Sequence, residues 1–228
     1  MKHSYAVCGC KSWNKRIFDT TIRKLPGTWV FIASKDELTA GTLGKINPRY
    51  IFFLHWSWKV PAGIIQQFEC VNFHMTDVPY GRGGSPLQNL ILRGHKDTKL
   101  SALRMTDMMD AGPVYLKEHL GLEGTAQEIL ERSSEIAAGM IEKIIAGNIQ
   151  PVAQRGDSVA FHRRKPEESR IPSGLSAAQL YDFIRMLDGE GYPPAFVKSG
   201  GFRYEFTNAV LHDASVEARV QIIPDTSS

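Results

Sequence analysis

Cysteine is scarce in this chain: three in 228 residues, at positions 8, 10 and 70. An odd count at irregular spacing gives no disulfide framework, so the expected state is reduced thiols in a cytoplasmic protein. Cys8 and Cys10 stand two apart in a strand-like segment and share a face. That is not the spacing of a zinc ribbon or a redox dithiol. No second His or Cys lies at ligand spacing from His74, so no metal is expected. Long hydrophobic runs are missing too. No segment approaches the roughly 20 apolar residues of a membrane span, and the opening MKHSYAVCGC has no apolar stretch long enough for a signal peptide and is expected to enter a strand directly. An excess of charge of one sign is missing as well: 27 Lys and Arg stand against 24 Asp and Glu, for a formal net charge of +3. Such a balance suits an acidic small molecule and argues against a broad nucleic-acid face. Internal repeats and low-complexity tracts are lacking. The first strand-to-helix turn, from Gly9 to Trp13, lacks the G-x-G-x-x-G fingerprint, so a dinucleotide site is not expected.

What is present is an ordinary globular composition, 43% hydrophobic and 22% charged. The first two thirds alternate between strand-like and helix-like segments. Strands are expected at Tyr5 to Cys10, Thr28 to Ala33, Tyr50 to Trp56 and Cys70 to His74. The third (YIFFLHW) is continuously apolar, as in a strand buried on both faces. Helices are expected from Trp13 to Lys24, in a short segment opened by Ser34 to Glu37, and from Pro61 to Phe68. A loop over residues 76–85 leads to a helix from Pro86 to Arg93. Extended segments follow at Thr98 to Met105 and Val114 to Leu120. The longest helix runs from Thr125 to Ala146, with a capping box at Thr125 and Glu128. After Gln150 the texture changes to a basic stretch from Phe161 to Pro166, a short helix at Ser176 to Leu187, and three strands at 195–198, 202–211 and 216–223. The closing residues 223–228 are expected to fray.

This pattern predicts an α/β fold: a mostly parallel twisted sheet with helices on both faces, plus a small C-terminal antiparallel β appendage. The expected division is a core over residues 1–170 and an appendage over 171–228. Such sheets place their sites at the carboxyl ends of the strands. Asn72 and His74 alternate along one strand and face the same way. Asp110 sits in a turn just before Gly112. A His that shuttles a proton, an amide that holds an oxyanion and a carboxylate that orients the His make a coherent set. A purely structural role for a His at a strand end is the competing reading.

The segment VNFHMTDVPYGRGGSP, followed by MDAGPVY, resembles the folate-dependent formyltransferase family. That family includes methionyl-tRNA, glycinamide ribonucleotide and sugar N-formyltransferases. Asn72-Phe-His74 supplies the family's Asn-x-His. Thr76 to Pro79 matches its Ser-Leu-Leu-Pro with Thr for Ser and without the leucines. Arg82-Gly83 with Pro86, and Asp110-Ala-Gly112, supply the rest. Asp110 follows His74 by 36 residues, and the likeness extends to Pro151 and Gln154. The resemblance implies a Rossmann-like formyltransferase core. His74 would be the general acid/base, Asn72 would hold the formyl oxygen, and Asp110 would orient His74 or an ordered water and assist proton transfer. It implies N10-formyltetrahydrofolate as cosubstrate, held near His55, Trp56 and Ser57 and against Asp107, Met108 and Met109.

The chain ends well short of the full C-terminal barrel of methionyl-tRNA formyltransferase-like proteins, and the early glycine-rich phosphate loop of glycinamide ribonucleotide enzymes is missing. The expected acceptor is therefore the amine of a nucleotide-linked amino sugar, for lipopolysaccharide or another surface glycan. Its contacts would be Thr76, Tyr80, Arg82, Gly83, Gly84 and Arg164, with Arg163 and Lys165 beside them. Trp13, Trp56, Trp58 and Tyr80 are available for stacking or packing. Nucleic acid is not expected as a partner; a homodimer is compatible with this reading. The alternatives are a methionyl-tRNA or glycinamide ribonucleotide acceptor, a hydrolase that releases formate, and a non-enzymatic folate- or sugar-binding regulator.

Overall fold

The computed structural model describes residues 3–225. In chain order the elements are β1 (Ser4–Gly9), α1 (Ser12–Thr20), β2 (Thr28–Ile32), α2 (Ala40–Ile46), β3 (Tyr50–Leu54), α3 (Ala62–Gln67) and β4 (Cys70–His74). Then come β5 (Tyr80–Gly83), α4 (Pro86–Leu92), β6 (Asp97–Arg104), β7 (Val114–Gly121), α5 (Ala126–Gly147) and β8 (Val159–Phe161). The last are α6 (Ala177–Arg185), β9 (Ala195–Ser199), β10 (Phe202–Leu211) and β11 (Val216–Pro224). Two compact units emerge, and they interleave along the chain. One holds residues up to 83, 98–120 and 131–160. The other holds 84–97, 121–130 and 161 onward.

The first unit is built on a six-stranded sheet in the order β2-β1-β3-β4-β6-β7. The pairs β1–β2, β1–β3 and β3–β4 are parallel, as expected, whereas β6 runs antiparallel to β4. All five β3 residues are buried, which explains the unbroken apolar run. On one face Ala6, Cys8, Ile51 and Phe53 pack with Leu43 of α2 and Ile64 of α3. On the other, Phe18 of α1 meets Phe31 of β2 with ring centroids 5.1 Å apart. The expected α/β class with helices on both faces therefore holds. The second unit contains the antiparallel sheet β11-β10-β9, also as expected.

Local differences have local causes. Ser34 and Glu37 do bond reciprocally, and the Glu37 carboxylate accepts the Ala33 N–H. They close a turn, however, and the helix starts only at Ala40, capped by Thr39. The expected first helix breaks at Thr21 and resumes as a 3₁₀ turn over Ile22–Lys24. Pro61 caps α3 rather than opening it. Cys10 lies beyond β1, half-buried, with its thiol donating to the His55 carbonyl at 3.2 Å. The loop after β4 contains a strand, β5, that periodicity did not reveal. Residues 223 and 224 belong to β11, and the fraying expected of 226–228 lies outside the described residues. Among the described residues no helix is long and apolar enough to cross a membrane.

Candidate active site

The alternation of β4 puts Asn72 and His74 on one face, opposite Leu103 and Ser101 of β6. His74 is 6% exposed. The loop after it is tied down at several points. Ser101 Oγ donates to the Thr76 carbonyl at 2.6 Å. Lys117 reaches both the Asp77 carboxylate and the Val78 carbonyl, and Lys99 Nζ lies 3.1 Å from Asp77. This loop presents the Gly81 carbonyl to His74 Nε2 at 2.8 Å. A carbonyl only accepts, so Nε2 carries the hydrogen. In the neutral ring Nδ1 is then the basic atom, and it lies 3.6 Å from Asp110 Oδ2.

Asp110 stands in the left-handed region at φ 51°. Its Oδ1 accepts from Asn72 Nδ2 at 3.2 Å, and its Oδ2 accepts the Gly83 N–H at 3.0 Å. Asn72 thus turns its amide nitrogen toward the carboxylate and keeps a second N–H available. The three residues read from the sequence do converge.

Asn72 and Asp110 form part of the wall of a cleft of about 370 Å³. Trp56, Trp58, Val60 and Ile65 supply apolar wall, and Met108 and Met109 lie on the lip, 70% and 73% exposed. Trp56 and Trp58 meet edge-on at 4.9 Å. The buried Trp56 Nε1 has no hydrogen-bond partner among the described residues. Of the residues expected to hold the cosubstrate, Trp56, Asp107, Met108 and Met109 line this cleft.

His55 and Ser57 are not among its lining residues. Ser57 Oγ contacts Cys10 Sγ at 3.3 Å. His55 is engaged with helices instead. Its Nδ1 accepts from Trp13 Nε1 at 3.2 Å and faces Asn14 Nδ2 at 3.1 Å. Asn14 Oδ1 already accepts the Lys11 N–H, which fixes the amide orientation. Two donors on Nδ1 require a neutral ring that donates from Nε2, here to Ser133 Oγ at 3.1 Å. Burial, with Lys11 nearby, lowers its pKa from 6.5 to about 4. The unfolded chain therefore binds the extra proton between these values. Stability from this group is complete above about pH 6.5 and falls as pH drops toward 4, by about 3 kcal/mol in all. Urea melts across this window should show a shallower pH slope for His55→Gln than for wild type. Equal slopes would remove His55 as the cause.

The residues expected to contact the acceptor are placed as follows. Thr76 is fully buried and donates to the Gly81 carbonyl at 3.4 Å. Tyr80 is half-buried in β5. Arg82 gives two hydrogen bonds to Gln154 Oε1, at 3.0 and 2.7 Å, and Gly83 serves Asp110. Gly84 and Arg164 belong to the second unit. A Cβ on Gly84 would come within 2.5 Å of the Arg163 backbone, so its smallness serves packing. The Arg164 guanidinium bonds the Glu168 carbonyl, and burial lowers its pKa. Trp13 is buried and does not offer a stacking face. Lys117, Val60 and Ile65 were missed, because isolated residues of these types carry no motif.

Comparison with known proteins decides the family. A solved methionyl-tRNA formyltransferase from Clostridium thermocellum is 43% identical, with a TM-score of 0.92, over 99% of this chain and 100% of that one. The chain belongs to the formyltransferase family. The family model for the methionyl-tRNA formyltransferase C-terminal domain matches residues 166–223. A methionyl-tRNA formyltransferase from Rickettsia felis is 30% identical over 68% of this chain and 53% of its own length. The chain thus spans about half the length of the curated relatives it matches. A 4-N formyltransferase from Francisella tularensis, 14% identical with a TM-score of 0.68 over 93% of this chain and 97% of that one, shares the fold alone. These findings overturn the expected amino-sugar acceptor, and with it the link to lipopolysaccharide. The expectation rested on a short C-terminal segment. That very segment matches the methionyl-tRNA formyltransferase domain, and a chain so named is covered end to end. Shortness is not a mark of a sugar substrate in this family. Nor does a net charge of +3 exclude an RNA acceptor, since local rather than total charge meets the phosphates.

Proposed function

We propose that this formyltransferase-family chain moves a formyl group from N10-formyltetrahydrofolate to the amine of methionyl-tRNA. The observation that carries the reaction is the convergence of Asn72, Asp110 and the basic Nδ1 of His74 beside one aromatic cleft. The cleft fits a flat, partly apolar heterocycle. Its volume is in the range of small-molecule sites, and its walls carry two indoles. The bound folate supplies an activated formyl group. Asn72 uses its second amide N–H to hold the formyl oxygen as negative charge develops there. His74 Nδ1 takes the proton of the attacking amine, and the Asp110 carboxylate stabilises the resulting imidazolium. The same nitrogen returns that proton to the departing N10.

Support for methionyl-tRNA as acceptor comes from the likeness at residues 166–223 and from the full-length likeness to the Clostridium thermocellum protein. The proposed chemistry lies wholly within residues 1–170. We assign 171–228 to the acceptor side and place the reaction in the cytoplasm. The purified chain is expected to formylate methionyl-tRNA in the presence of the folate donor, read as formyl-methionine after deacylation. Formylation of another amine with none on methionyl-tRNA would discard the acceptor. No formylation of any amine would discard the enzyme.

A further inference from the structure

We infer that Gln154 is a positioning residue for the Asp110 carboxylate, an inference that rests on the acid–base reading of His74 and Asp110. Asp110 needs an external hold, because φ 51° is unfavourable for a residue with a Cβ. Gln154 supplies it. Its Nε2 donates to the Asp110 carbonyl and to the Gly112 carbonyl, each at 2.8 Å. These two acceptors bracket the turn, and an amide nitrogen has two hydrogens for them.

The amide cannot flip. Its Oε1 accepts both Nε and a terminal nitrogen of Arg82, and a guanidinium offers no acceptor to an inverted amide. Gln154 is itself anchored two residues earlier. Val152 exchanges reciprocal main-chain hydrogen bonds with Val114, both at 2.8 Å, at the start of β7. Arg82 adjoins Gly83, whose N–H meets Asp110 Oδ2. The segment 82–83 therefore grips Asp110 twice: directly at the carboxylate, and through Gln154 at the main chain. The consequence is the 3.6 Å approach of Oδ2 to His74 Nδ1. Arg82 acts in this hold rather than as a free cation.

Gln154→Glu separates the two halves of the arrangement. It is nearly isosteric and strengthens the contact with Arg82. It also replaces both donors with an anion facing two carbonyls. The expected result is a kcat lowered by about tenfold to a hundredfold, with the folate KM within about twofold and an altered pH–rate profile. Melting temperature should fall by a few degrees while the transition stays cooperative. A second readout does not need activity: the ¹⁵N signals of the His74 ring should move in Gln154→Glu and stay fixed in the control Arg155→Ala. Should wild type lack transferase activity, that spectrum still decides the inference while the proposed function fails. Wild-type kcat with unmoved His74 signals would overturn it. If Gln154→Glu does not fold, Gln154→Met serves, with the same loss of kcat expected. Unfolding of both variants, or full activity of Gln154→Met, would overturn the positioning role.

Discussion

Asp110→Asn is expected to leave the fold intact and to lower formyl transfer by about 10²–10⁴-fold. The substitution conserves volume at a side chain only 10% exposed. It does not conserve hydrogen bonding. Both carboxylate oxygens accept from donors, Asn72 Nδ2 at 3.2 Å and the Gly83 N–H at 3.0 Å. An amide can satisfy one of these and must turn its NH₂ on the other. If the NH₂ takes the Oδ2 position, it also donates to His74 Nδ1 and occupies the lone pair that should take the proton. In the other orientation the imidazolium loses its counter-charge. Either way the chemical step suffers, while the indole walls of the cleft are untouched. The loss should therefore appear in kcat, with the folate KM within a few-fold of wild type. A kcat within about threefold of wild type would remove Asp110 from the reaction.

Much of the fold was legible in the sequence for identifiable reasons. The unbroken apolar run at 50–56 reads as a strand buried on both faces, and β3 is that strand. The Thr125 and Glu128 pairing reads as a capping box, and both of its hydrogen bonds form. The Ser34 and Glu37 pair looks equally good and opens only a turn. Reciprocal side-chain bonds close over four residues whatever follows, and the register of α2 is set by Thr39. Asn72, His74 and Asp110 could be found because strand alternation and motif order are properties of the chain itself. The role of Arg82 could not. A glycine-flanked loop arginine looks ready for an anion, and its partner lies 72 residues away in an irregular segment. His55 misled for the same reason. A strand end points at a site in general, but here the ring nitrogens are claimed by residues of α1 and α5. Acceptor choice was the least legible, because chain length and net charge do not describe the surface that meets the acceptor.

Gly112→Ala is expected to be the most damaging single methyl in the site. A Cβ at Gly112 would lie 1.8 Å from the Arg104 carbonyl oxygen and 3.0 Å from its carbonyl carbon. Those atoms are main chain at the end of β6, so no side chain can rotate away. The strand is held there by the Arg104 N–H, which donates to the Pro113 carbonyl at 2.9 Å. Relief must come from the turn, which would pull the Gly112 carbonyl off Gln154 and shift Asp110 from His74. Overpacking of this kind costs about 3 kcal/mol or more. For a chain of this size that lowers the melting temperature by about 6–12 °C. A displacement near 1 Å at Asp110 costs about a further 10²-fold in turnover of the folded fraction. Gly139→Ala is the matched control. It lies inside α5 with nothing within 4 Å of the added Cβ, so helix propensity should make it neutral or stabilising. If Gly112→Ala melts and turns over like wild type, the packing of the Asp110 turn against β6 is not what holds the carboxylate at the imidazole.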